Sequence, residues 1–226
     1  MTAGRHRSAR ALWALAFAGA LALGAGAATP VRVDNWEAHP PGPLDLSGEW
    51  QRYPAARAAF KQPPAIVVDD GRPVLQFVTS GEAMRVGRAL RVDPRQTPWL
   101  SWEWKPLVLP EGGDVRDVRR NDQAGRVMLV FEGLKGILYV WDTSAPVGTE
   151  TAPDGLELFQ RVLIVVRSGP GGLGQWWRER RNVHDDYRRV FDEEPRLIKL
   201  VGFESHSNDT KTRTAMRFGR LHFEAR

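Results

Sequence analysis

Most of this chain reads as short apolar or alternating segments separated by turn signals. Trp99-Leu100-Ser101-Trp102-Glu103-Trp104-Lys105 is the clearest case. Leu100, Trp102 and Trp104 fall on one face and Ser101, Glu103 and Lys105 on the other, the pattern of a half-buried strand. Ile66–Val68 and Val74–Val78 flank Asp69-Asp70-Gly71-Arg72-Pro73, which reads as a hairpin. Met84–Val92 is a further strand. Val127–Phe131 and Ile137–Trp141 are apolar, β-branched or aromatic, and the short polar link between them predicts a second hairpin. Val162–Val166 is apolar throughout, as expected of a strand buried on both faces. Leu197–Phe203 and Ala215–Phe223 close the chain, and in the last of these the alternation slips at Gly219, which predicts a β-bulge.

One stretch has helical period instead. Asn182 is a good N-cap, Asp185 and Asp186 load the first turn, and Val183, Tyr187, Val190 and Phe191 share a face. Arg188 and Arg189 suit the end of the helix, and Pro195 forbids its continuation. The mixed charges from Arg178 to Arg189 read as its solvated face. Pro40-Pro41-Gly42-Pro43 reads as an extended, linker-like start. Many short strands with one short late helix predict a mainly β fold, a β-sandwich of jelly-roll type.

The first residues follow a different rule. Arg5, Arg7 and Arg10 precede an apolar run from Ala11 to Leu23, and Ala25-Gly26-Ala27 fits signal-peptidase cleavage. Residues 1–27 are therefore expected to be a secretory signal peptide, and residues 28–226 a single periplasmic or secreted β-sandwich domain with no membrane span after cleavage. The absence of cysteine excludes disulfide staples and a lipid-modified N-terminal cysteine. The arginines of the leader are not adjacent, which favours general secretion over the twin-arginine route.

Charge adds a further exclusion. Three of the 32 basic residues and no acidic ones lie in the leader, so the remainder carries 29 bases against 27 acids. Nucleic-acid binding needs clustered positive charge, and this balance argues against it. Eight of the nine tryptophans follow the leader, enough for a heavy core or for an aromatic binding face.

Candidate chemistry is sparse. Gly169-Pro170-Gly171-Gly172-Leu173-Gly174 matches G-x-G-x-x-G, but it follows a late strand and lacks the acidic residue at the end of a second strand. It therefore reads as a glycine turn and not as a dinucleotide site. No serine occupies a G-x-S-x-G elbow. His206 and His222, with Asp209 near, lie on the last strand pair and are candidates for acid–base or metal chemistry. Glu103, Glu132 and Asp142 are the carboxylates on or beside central strands, from which a glycosidase would need a pair. The charge-dense loop from Gly112 to Arg126 lies between two core strands, where Asp122 and Arg126 read either as a polar rim for a ligand or as a buried ion pair.

Several of these segments resemble the bacterial family labelled domain of unknown function 3047. They are Trp99–Lys105, Arg120-Asn121-Asp122-Gln123-Ala124-Gly125-Arg126-Val127, Leu138–Trp141, Val165–Gly169 and, most specifically, Arg181–Phe191. The resemblance spans about residues 30–224. It implies an exported single domain similar in outline to galactose-binding-type jelly rolls, and it assigns no reaction. Members often carry an Asp-rich turn before the last strand. Here it reads Ser205-His206-Ser207-Asn208-Asp209-Thr210, and Arg220 stands where an Asp is common. A calcium site in that turn would be weakened by the lost charge, because calcium takes several hard oxygen ligands. Calcium thus stays open, and no other cofactor is expected.

The expected function is non-catalytic binding of a carbohydrate or other cell-envelope ligand, through Trp104, Asp122 and Arg126. Two alternatives are an envelope polysaccharide hydrolase with paired carboxylates and a structural or assembly factor that binds a protein partner. No catalytic residue and no oligomeric state are assigned.

Overall fold

The computed structural model describes residue 1 and residues 29–54, 60–152 and 159–225. The expected signal peptide lies outside the described residues. Three short strands come first: β1 (Val31–Arg32), β2 (Gly42–Pro43) and β3 (Trp50–Arg52). Then follow β4 (Ala65–Asp69), β5 (Arg72–Ser80), β6 (Ala83–Val92), β7 (Trp99–Val108), β8 (Gly125–Phe131) and β9 (Lys135–Asp142). The last strands are β10 (Glu150–Thr151), β11 (Gln160–Ser168), β12 (Trp177–Asn182), β13 (Ile198–His206) and β14 (Arg213–Glu224). The helix α1 (Val183–Phe191) lies between β12 and β13. Among the described residues no helix is long and apolar enough to cross a membrane.

The strands form two sheets of seven. Sheet I runs β12-β7-β14-β5-β4-β2, with β1 also paired to β14; sheet II runs β10-β11-β9-β8-β13-β6-β3. Every pair is antiparallel except β11 with β9. The protein is a β-sandwich of jelly-roll type with one short late helix. The alternation of β7 becomes burial as expected, because Leu100, Trp102 and Trp104 pack between the sheets against Tyr139, Trp141 and Phe218. Trp102 stacks on Tyr139 at 5.2 Å between ring centroids, and Trp104 meets Trp141 edge-on at 5.6 Å. Such packing supplies the dispersion that a chain without disulfides needs.

Both expected hairpins form. β4 and β5 join through Asp70 and Gly71, both at positive φ (50° and 74°), the geometry of the tight turn that best suits strand twist. β8 and β9 pair from Gly125 with Trp141 to Phe131 with Lys135. The bulge at Gly219 is present too: Phe218 pairs with Trp104 but Leu221 with Trp102, so Gly219 and Arg220 together oppose Glu103. Helix α1 has its expected cap, with the Asn182 side chain accepting a hydrogen bond from the Asp185 N–H at 3.2 Å. It ends at Asp192, which adopts the left-handed conformation, before Pro195 is reached.

Three expectations need correction. Residues 178–182 are not a helix face but part of β12, an edge strand. Pairing to β7 satisfies their backbone, and with little apolar content the strand left no hydrophobic signal. The extended start at Gly42–Pro43 pairs with β4 and is no linker. The last two strands are not a pair, because β13 belongs to sheet II and β14 to sheet I.

The middle of sheet II, across β8 and β9, is buried on both faces. Its inner face gives Val127, Leu129, Ile137 and Tyr139 to the main core. Its outer face carries a second apolar cluster, with Met128, Val130, Leu138, Val140, Leu163 and Val165 roofed by Val115 and Ala145. The roof is anchored by Asp142, which accepts hydrogen bonds from the N–H groups of Val115 (3.0 Å), Ser144 (2.8 Å) and Ala145 (2.6 Å) and from Gln123 Nε2 (3.1 Å).

Candidate functional site

Beside that apolar cluster, the outer face of sheet II carries charge. Arg85, Glu204 and Arg126 stand in one row across β6, β13 and β8, because Glu204 is paired in register with both arginines. His206, two residues along β13, shares this face by the period of the strand. Glu204 is fully buried and Arg126 is 3% exposed. Arg85 Nε lies 2.5 Å from Glu204 Oε1, Arg126 Nη1 lies 3.4 Å from Oε2, and His206 Nε2 lies 3.1 Å from Oε2. A buried carboxylate is tolerated because it is paired this densely. Burial raises its pKa, but Arg85, His206 and Arg126 outweigh burial and hold it well below the ordinary range. Burial and the charge of Arg126 push His206 down to about 4, so its ring is neutral at pH 7. Burial pushes Arg126 down to about 10, against the pull of Glu204, and it stays charged.

The loop before β8 closes one side of the cluster. Arg126 Nη2 donates to the Asn121 carbonyl (2.7 Å) and side chain (3.2 Å). Asp122 Oδ2 accepts from the N–H groups of Asp209 (2.9 Å) and Thr210 (2.7 Å) and from the Thr210 hydroxyl (2.7 Å), which ties this loop to the β13–β14 turn. The His206 N–H donates to the Gln123 carbonyl at 3.0 Å. Burial and the neighbouring Asp122 raise the pKa of Asp209. Of the buried polar atoms here that lack a hydrogen bond among the described residues, Arg85 Nε, Glu204 Oε1 and His206 Nε2 lie within 3.1 Å of a partner in the cluster, and Arg126 Nε, Asp122 Oδ1, Gln123 Oε1 and Asn208 Oδ1 have none. Buried polar atoms left unpaired are costly, so each marks a place for a water or a ligand group.

Next to this cluster, on the β3 side of the sheet, is a cleft of about 470 Å³. Glu49, Gln51, Arg52 and Tyr53 line it from the β3 segment, and Gly87, Arg88, Ala89 and Leu200 from β6 and β13. Gly87 and Gly202 are directly paired, and the side chains of Leu200 and Met128 close over them. Arg85 is two residues from Gly87 along β6, roughly 7 Å at the strand rise.

Of the three residues expected to bind ligand, the structure brings two to this region. Asp122 and Arg126 belong to it, each with its own partners and not paired with each other. Trp104 does not. It is fully buried between the sheets, and its indole donates to Glu179 Oε1 at 3.1 Å. A stacking face must be open to ligand, so Trp104 is corrected to a core residue. His206 and Asp209 lie near Asp122, whereas His222 is on sheet I.

The three candidate carboxylates do not assemble either. Asp142 is consumed by the roof, Glu132 is half exposed and 3.8 Å from Arg91, and Glu103 faces out from sheet I. Sheets pack about 10 Å apart, so carboxylates on opposite outer faces are too distant to share one glycosidic bond. Among the described residues no group of three His, Asp or Glu side chains is placed to hold a metal ion.

Glu204, Arg85 and Tyr53 are the members that sequence reasoning missed. The signal for Glu204 was the spacing of Glu204 and His206, two polar residues on one face of an otherwise apolar strand.

The fold and this face define a two-sheet jelly-roll sandwich with a cleft and a buried charge cluster on the outer side of one sheet. The chain belongs to the family described as a protein of unknown function, DUF3047, whose profile matches residues 49–222. No curated protein matches the sequence. Among solved structures, the chain is similar to the xyloglucanase domain of NopAA, a type three effector from Sinorhizobium fredii, with a TM-score of 0.43 and 9% identity over 72% of this chain and 93% of that one. It is similar to endoglucanase 3 of family GH12 from Trichoderma harzianum, with a TM-score of 0.42 and 8% identity over 72% and 83% of the two chains. A loop-swap mutant of Xyn11A from Necallimastix patriciarum gives a TM-score of 0.34 and 8% identity over 74% and 97%.

Proposed function

We propose that this protein is an exported binding domain of the periplasm or cell exterior that takes a carbohydrate in the cleft on the outer face of sheet II. Export rests on the leader pattern of residues 1–27. The observation that carries the binding reading is the cleft itself, which Tyr53 lines together with Gly87, Ala89 and Leu200. Sugars present an apolar ring face to an aromatic ring and hydroxyls to polar neighbours. Glu49 and Gln51 supply polar groups among the residues that line the cleft. Binding is favoured over hydrolysis because Glu204 is held ionised between two arginines, a poor state for a general acid.

The test is calorimetric titration of the purified protein with neutral cello-, xylo-, galacto- and chito-oligosaccharides, alongside Tyr53→Ala. At least one should bind, and Tyr53→Ala should weaken it by about tenfold or more while the melting temperature holds. Failure of all four, or binding indifferent to Tyr53, would overturn the reading. N-terminal sequencing of the protein recovered outside the cytoplasm should start near Ala28.

A further inference from the structure

The outer face of sheet I carries a second basin that the proposed cleft does not use. It has a volume of about 310 Å³ and lies across β12, β7 and β14. Arg178, Arg180, Arg220 and His222 line it together with Glu103 and Glu224.

The two acids are already committed. Glu103 receives Arg72 Nη1 at 2.5 Å on one oxygen and Arg178 Nη2 at 2.8 Å on the other. Burial works against its charge, but Arg178 and Arg72 prevail and its pKa lies below the ordinary value. Glu224 receives Arg180 Nε at 2.9 Å, which likewise lowers its pKa. Four arginines therefore meet Glu103 and Glu224, and Glu37, itself paired with Arg32, adds its charge beside Arg220, which still leaves positive charge in excess. The guanidinium of Arg220 makes no hydrogen bond or ion pair within 4 Å among the described residues.

The position of Arg220 is built into the strand. It is the second residue of the bulge opposite Glu103, and a bulge redirects the side chains of its strand. Gly219 makes the bulge fit, since a Cβ there would lie 2.8 Å from Glu103 Oε2 and 3.3 Å from the Trp176 ring. The neighbouring cations are held against aromatic faces: Arg180 lies 3.8 Å from the Trp99 ring centroid and Arg72 4.6 Å from that of Trp176. Stacked guanidinium groups are ordered before a ligand arrives, which reduces the entropy lost on binding.

We infer that this basin is an oxyanion site for an acidic saccharide, whose carboxylate or phosphate group sits on Arg220 with Arg178 and Arg180 beside it. Guanidinium forks match both groups in geometry and charge. The His222 ring, 3.8 Å from Glu224, offers a hydrogen bond to a sugar hydroxyl, and Ser101 Oγ, which donates to Glu224 at 3.4 Å, can accept one. The site is separate from the cleft on sheet II and does not depend on it.

The experiment titrates the purified protein with trigalacturonate, galactose 1-phosphate, neutral galactotriose and inorganic phosphate, at low salt and at about 0.3 M salt. Wild type, Arg220→Gln and Tyr53→Ala are compared, with Arg188→Gln on the exposed side of α1 as a control for general charge. An acidic sugar should bind at low salt, more weakly at high salt, and about tenfold or more weakly in Arg220→Gln alone among the variants. Trigalacturonate and galactose 1-phosphate distinguish carboxylate from phosphate. The inference is overturned if neither binds, if Arg188→Gln weakens binding as much as Arg220→Gln, or if inorganic phosphate binds as tightly as the sugars. Loss through Tyr53→Ala instead would return the acidic sugar to the cleft and overturn the second site. Galactotriose binding that is lost in Tyr53→Ala and kept in Arg220→Gln tests the cleft independently.

Discussion

Glu204 and Arg126 are register partners on β13 and β8, both closed off from water, with 3.4 Å between carboxylate and guanidinium. Arg85 meets the same carboxylate from the other side. Removing the charge of Glu204 leaves two guanidinium groups on one buried face without their counter-ion. Glu204→Gln should therefore lower stability by about 3–5 kcal/mol. The exposed pair of Glu49 and Arg88 is the internal control, and Glu49→Gln should cost under about 1 kcal/mol. Urea denaturation of both variants makes the comparison, and equal costs would show that burial of the triad is not what matters.

The same cluster sets a pH dependence. His206 titrates at about 4 when folded and near 6.5 when unfolded, so between these values the unfolded chain binds more protons. Its contribution is complete above pH 6.5 and is lost as pH falls towards 4. Glu204, whose pKa is depressed, adds a loss below the ordinary carboxylate pKa of about 4.3. Stability should fall by the order of 1–2 kcal/mol between pH 7 and 5, and His206→Gln should flatten that slope. Urea midpoints at pH 7, 6 and 5 decide it, and an unchanged slope would place the sensitivity elsewhere.

Trp104 is a core residue, and its substitution should behave as one. Trp104→Ala should cost about 3–5 kcal/mol through lost contacts and a cavity between the sheets. Measured well below the melting temperature, oligosaccharide affinity should stay within about twofold of wild type. Loss of binding in a protein of normal stability would reverse this assignment.

Two paired glycines on the outer face of sheet II should separate packing from binding. A Cβ at Gly202 would lie 2.5 Å from the Val86 carbonyl oxygen, which the sheet cannot move, so Gly202→Ala should cost about 2–3 kcal/mol. A Cβ at Gly87 would meet the tip of Leu200 at 2.9 Å, a flexible contact between two residues that line the cleft. Gly87→Ala should cost under about 1.5 kcal/mol yet weaken oligosaccharide binding. Thermal melts with parallel calorimetry test the pair, and intact binding in Gly87→Ala would exclude this part of the lining from the site.

What was legible before folding was what depends on near neighbours. The alternation of Trp99–Lys105, the turn at Asp70-Gly71, the cap at Asn182 and the slip at Gly219 are local patterns with local causes, and each is found in the structure. They determined the fold class and the strand character of most of the chain. Strand β12 escaped because its residues, Trp177-Arg178-Glu179-Arg180-Arg181-Asn182, carry little apolar signal, and only hydrogen bonding to β7 makes them a strand.

The site followed the opposite rule. Asp122 and Arg126 were visible as charges in a loop between core strands. Their partners Glu204, Asp209 and Thr210 lie on β13 and in the β13–β14 turn, up to 88 residues away, and Arg85, which shares Glu204, lies on β6. Trp104 looked the same in sequence whether it covered a core or a ligand, because alternation assigns two faces to a strand without saying which one meets solvent. The order of strands decided that, since a second sheet lies over the inner face of β7. It also placed β13 and β14 in different sheets and so parted His206 from His222. The sequence by itself determined where strands, turns and the helix form. Only the tertiary structure decided which faces are covered and which distant charges meet, because burial and long-range pairing depend on topology and not on local pattern.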